Sequence, residues 1–153
     1  MGSSQLLTWH SYFRWLILLA MLVQILWIYI HHKKRTTFTG RHLFILILFT
    51  CIYDMQLCIG WVLYLQSPIV DSFWNNVALG VKQRDLRFFG LEHMTMMSLA
   101  IVLLNFCTFK SWKKLREPGV FTYLWKRYWI TYLMILSSIP WSFSPLTARP
   151  NFR

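Results

Sequence analysis

RFFGLEHMTMMSLAIVLLNF, residues 87–106, is the stretch on which the fold turns. Beyond His93 no charged residue occurs until Lys110. A run of roughly 20 apolar residues is what a helix needs to cross a hydrocarbon core about 30 Å thick. Yet this helix opens with Arg87, Glu92 and His93. Ionisable side chains inside a membrane are expensive and, where they occur, face a bundle interior or a watery cavity. The stretch therefore predicts a membrane-spanning helix with a polar site just inside its mouth.

The rest of the chain agrees. Of its 153 residues 56% are hydrophobic and only 14% are charged, and the mean hydropathy is +0.42. A single soluble domain of this length cannot bury so much apolar side chain, and the surplus calls for lipid. Three further runs have spanning length, so spans are expected at about 9–30, 43–65, 88–109 and 123–139. The expected fold is all-α, one integral membrane four-helix bundle over residues 1–153. Trp9, Trp15, Trp27, Trp61, Trp125, Trp129 and Trp141 fall mainly near span ends, as aromatic belts do.

The net charge of +11 carries no nucleic-acid motif with it, and nucleic acid is not an expected partner. The cations gather instead in two connections, 31–42 with Lys33, Lys34, Arg35 and Arg41, and 110–120 with Lys110, Lys113, Lys114 and Arg116. Basic loops stay cytoplasmic, which puts both termini on the outer, periplasmic side. Lys126 and Arg127, early in the fourth span, can snorkel to the headgroups. The connection 66–87 is then outside. Val70, Phe73, Trp74 and Val77 have the spacing of a short interfacial helix, a mixed polar and apolar loop being the alternative. Cys51, Cys58 and Cys107 lie in apolar segments without a CxxC pair and read as packing residues.

With this topology His10 and Arg14, one helical turn apart, enter the bundle from the same side as Glu92 and His93. Asp54 lies about 16 Å below the outer end of the second span, near the midplane, and Gln56 points nearly the opposite way. Each residue has an ordinary reading. His10 and His93 suit interfacial histidines bonded to a carbonyl or water, and Asp54 suits a protonated, hydrogen-bonded carboxyl. Met94, Met96 and Met97 suit packing. Neighbours on a helix diverge by about 100°, so His93 is expected to face the bundle while Glu92 turns aside to Arg14 or Arg87.

Together the polar groups suggest a further reading. Membrane four-helix cytochromes hold haem b between axial histidines, with arginines available for the propionates. His10 and His93 lie at similar depth on different helices, with Arg14 a turn below, and are the candidate metal- and cofactor-binding residues. A zinc or di-iron site needs three or four ligands in a spacing that His10, Asp54, Glu92 and His93 do not supply. Ser11 and Ser98 lack the context of a nucleophile, so no catalytic residue is expected.

HSYFRW at 10–15, Gln56 with Gly60 and Tyr64, RFFGLEHMTMM at 87–97 and SSIPW at 137–141 occur in this order. The order resembles a group of small bacterial four-helix membrane proteins usually described as cytochrome-b-like or uncharacterised. Their pattern is HSxxRW, HxQxxxG, RFxxxEHxxMM and IPW, and the resemblance covers about residues 9–141. It implies a bacterial inner-membrane protein with a haem-dependent electron-transfer or redox role near the outer face. It also implies a functional set of His10, Ser11, Arg14, Gln56, Arg87, Glu92, His93 and Trp141, in which Ser11, Gln56, Arg87, Glu92 and Trp141, with Asp54, form a supporting polar cluster. One position departs: Asp54 stands where the pattern has histidine, and a carboxylate is a poor substitute for an axial histidine. The alternative function is a non-catalytic accessory subunit that packs in the lipid bilayer against other membrane protein subunits.

Overall fold

A computed structural model describes residues 3–141, and within them the chain is helical, with no strand. Four long helices carry it: α1 (Ser3–Lys33), α2 (Gly40–Leu65), α6 (His93–Lys113) and α7 (Val120–Ser137). Between α2 and α6 lie α3 (Pro68–Asn75), α4 (Val77–Gly80), α5 (Arg84–Arg87) and a π-helical turn, Phe88–Glu92. Helix α1 packs on α2 and α7, and α6 packs on the same two, so the long helices close a ring around one core. The expected outward placement of both termini falls on residues 1–2 and 142–153, outside the described residues.

Among the described residues three helices are long and apolar enough to cross a membrane: Ser4–Lys33, Gly40–Leu65 and Arg84–Lys113. Helix α7, where a fourth span was expected at 123–139, is not among them. It has 18 residues, and Lys126 and Arg127 lie in its middle rather than at its start.

The long helices are apolar on both sides. On α1, Ile17, Met21, Ile25 and Ile28 are buried, while Leu16, Leu19, Val23, Leu26 and Ile30 are exposed. On α6, Ala100 and Leu104 are buried and Leu99, Val102 and Phe106 exposed. A helix at the surface of a soluble protein turns a polar face outward; these do not.

Inside the ring runs a polar belt. Tyr53 donates to Gln24 Oε1 at 2.7 Å, and Gln24 Nε2 donates to the Tyr128 hydroxyl at 3.4 Å. The hydroxyls of Thr50 and Thr108 meet at 3.0 Å across α2 and α6. Buried polar groups are tolerated when partnered, and here each bond joins two helices.

The two ends of the ring differ. At the capped end the apolar spacing is realised as α3, which packs against α4, α5 and the π-helical turn. Pro68 opens it, a favoured place for a residue without an N–H, and its Val70 and Phe73 are buried. Phe73 lodges against Gly80 and Gly90, where a Cβ on either glycine would collide with its ring. At the basic end, α1 finishes in a Schellman motif, with Thr36 N–H on the His31 carbonyl at 3.1 Å and Arg35 N–H on the His32 carbonyl at 3.2 Å. The Arg116 N–H donates to the Phe38 carbonyl at 2.9 Å and so ties the two basic connections together.

Candidate functional site

Below the capped end the ring holds a partly open cavity of about 560 Å³. Its walls are largely apolar, with Leu7, Ile17, Leu57, Met94, Met97 and Ile101 among them. Its polar lining includes His10, Ser11 and Arg14 of α1, Tyr53, Gln56 and Tyr64 of α2 and His93 of α6, with Ser4, Gln66 and Ser67 nearer the capped end. That volume lies within the range, about 300–1,000 Å³, of sites that hold small molecules and cofactors.

Each polar group has a local reason for its place. Gln56 Nε2 donates to the His10 carbonyl at 3.0 Å and joins α2 to α1 at the level of the imidazole. Gly60 lies beside the same ring: a Cβ there would be 3.4 Å from His10 Cε1, so a larger side chain would crowd the histidine. His93 Nδ1 lies 2.7 Å from the carbonyl of Ser138, the residue that ends α7. A carbonyl only accepts, so Nδ1 carries the proton and the lone pair belongs to Nε2. Metal-binding histidines are commonly fixed in this way, with one nitrogen donating to a carbonyl and the other left as ligand. His10 Nδ1 and Gln56 Oε1 are buried and have no hydrogen-bond partner among the described residues.

The structure thus brings together His10, Ser11, Arg14, Gln56 and His93. Four residues expected to support them stand elsewhere. Glu92 pairs with Arg87, Nε to Oε1 at 2.6 Å, and a second Arg87 nitrogen donates to the Val81 carbonyl at 3.0 Å. This pair belongs to the rim, not to the cavity lining. Trp141 donates to the Leu136 carbonyl at 2.9 Å and packs edge-on against Trp15 at 5.7 Å, closing the end of α7.

Asp54 is the clearest correction. It does not line the cavity; its Oδ1 accepts from Asn105 Nδ2 at 2.7 Å on the outward side of α2 and α6. The reason is rotational: Gln56 faces α1, so a residue two before it on the same helix must face away. Asp54 is therefore not part of the cavity lined by His10 and His93. Cys51 and Cys58 share that outward side of α2 and are exposed, contrary to the packing role expected of them; only Cys107 is buried.

Tyr64, quoted in the motif but given no role there, donates to the Gly90 carbonyl at 2.7 Å and accepts from Trp74 Nε1 at 2.8 Å. Sequence reading missed the Gln24, Tyr53 and Tyr128 belt beneath the cavity as well. Gln24, alone among apolar neighbours in the middle of α1, was the available signal.

No group of three or more histidine, cysteine, aspartate or glutamate side chains placed to hold a metal ion occurs among the described residues, and the cavity lining contains two histidines, His10 and His93. Compared with protein-family models, with curated proteins and with solved structures, the chain matches none.

Proposed function

We propose that this protein is a small integral membrane haem b protein with a one-electron transfer or redox role. Its four long helices span a bacterial inner membrane, the basic connections 31–42 and 110–120 face the cytoplasm, and the capped end faces the periplasm. The observation that carries this reading is the placement of His10 and His93, from two different helices, in one largely apolar cavity, with the lone pair of His93 confined to Nε2.

The residues present fit the group. His10 and His93 would be its axial ligands, and Arg14 would offset a propionate. Haem b supplies one-electron chemistry when bound; what the chain does is hold, orient and exclude water. The Ser138 carbonyl fixes the His93 ring, Gln56 fixes the backbone of α1 beside His10, and Gly60 leaves the His10 ring its space. Among the described residues no carboxylate lines the cavity. The test is haem retained per protein after purification from haem-supplied cells. His10→Ala and His93→Ala should each lose most of it, while Asp54→Ala should retain the wild-type amount. Equal haem in all four proteins would overturn the assignment.

One observation favours the second reading, an accessory subunit. Asp54 and Asn105 form a polar pair on the outward side, about 16 Å from the end of α2 at Leu65. A carboxylate facing lipid at that depth is costly, and a partner helix would shelter it. In a mild detergent, Asp54→Leu should then reduce the native particle mass and leave haem content alone. An unchanged mass would leave the pair as intramolecular glue between α2 and α6.

A further inference from the structure

At the basic end, a second cavity of about 450 Å³ opens between the connections that follow α1 and α6. Arg35 and Arg116, both exposed, are among its lining residues, with Thr36, Thr37, Thr122, His31 and His32. We propose that this cleft binds a phosphate group, with Arg35 and Arg116 as its charged contacts. The proposal is independent of the haem reading.

Three features support it. First, the cleft selects arginine. The lysines of both connections lie outside it, and the forked, planar guanidinium is the side chain suited to phosphate oxygens. Second, each arginine occupies a backbone position better suited to glycine. Arg35 has φ 49° and Arg116 has φ 66°, both left-handed, and each follows a helix end. Glycine adopts that conformation without the Cβ penalty, so the chain sets a cation where local structure favours no side chain at all. Third, the two arms do not move independently, because the Arg116 N–H is bonded to the Phe38 carbonyl. Among the described residues one carboxylate is on the wall, that of Glu117, and it pairs with Lys114 at 2.7 Å in a half-exposed contact. His32 Nδ1 meets the Thr122 hydroxyl at 3.0 Å, which joins the α1 side of the cleft to α7.

The same chemistry could come from a lipid headgroup or from a soluble phosphate, and the experiment separates them. Thermal melts of the full chain in a neutral maltoside detergent would be run with sodium phosphate against sodium chloride at matched ionic strength. A second series would use micelles containing dioleoylphosphatidylglycerol against dioleoylglycerol. The variants are Arg35→Gly/Arg116→Gly, which suits both backbone positions, and Lys33→Gln/Lys113→Gln, which removes equal charge outside the cleft. A rise in melting temperature with either phosphate probe is expected in the wild type and the lysine variant. The apparent affinity should fall about tenfold or more in the arginine variant, since a charge-assisted hydrogen bond is worth at least about a factor of ten. A response to the lipid alone identifies a headgroup site; a response to inorganic phosphate identifies a soluble one. No rise with either probe overturns the proposal. So does an equal loss in the arginine and lysine variants, which would reduce the effect to net charge.

Discussion

At the scale of single residues, the cost of a polar atom in an apolar setting made part of the site legible and hid the rest. His10, Arg14, Gln56 and His93 stand out in the sequence because each interrupts an apolar run, and all four line the cavity. Tyr53 and Tyr128 do not stand out, since tyrosine reads as aromatic packing until its hydroxyl is seen to bond. Gln24→Leu should therefore destabilise the protein by about 1–3 kcal/mol in a detergent melt, because it leaves the Tyr53 hydroxyl buried without its acceptor. A neutral result would mean that Tyr53 finds another partner. The glutamate at the helix mouth had two candidate arginines, and Arg87 is its partner. Both side chains of that pair are about a third exposed, at 37% and 35%, so the pair is worth little. A double-mutant cycle of Arg87→Ala with Glu92→Gln should give a coupling of about 0.2–1 kcal/mol, and the same cycle with Arg14→Ala none. Coupling to Arg14 alone would contradict the pairing.

At the scale of elements, length and hydropathy gave three of the long helices, and apolar spacing gave α3. Rotation about each helix axis was not legible. A helix that is apolar all round has no polar face to set its phase, so nothing in the sequence said that Asp54, Cys51 and Cys58 turn outward while Gln56 turns in. Nor was the π-helical turn at Phe88–Glu92, just before His93. Such turns occur mostly as single insertions in helices, often at functional sites. This one brings Gly90 against Phe73 and presents its carbonyl to Tyr64, so the fit of α3 and the start of α6 are set together. Gly90→Ala should cost about 1–3 kcal/mol through overpacking on the Phe73 ring, and adding Phe73→Ala should recover part of the loss. Purely additive losses would show that the two do not meet.

At the scale of the whole molecule, the four long helices close a ring with a capped end and a basic end, and each end has its own cavity. One cavity is largely apolar and carries His10 and His93 with one arginine; the other carries two arginines with His31, His32 and three threonines. What separates the two ends is the cations, which concentrate where the chain turns between helices, whereas His10 and His93 lie in apolar surroundings. The central claim, a haem held by His10 and His93, is tested most directly by a reduced-minus-oxidised visible spectrum of the purified wild-type protein from haem-supplied cells. The account predicts a b-type alpha band that is lost in both His10→Ala and His93→Ala. A flat difference spectrum from protein that is folded and melts cooperatively would contradict it.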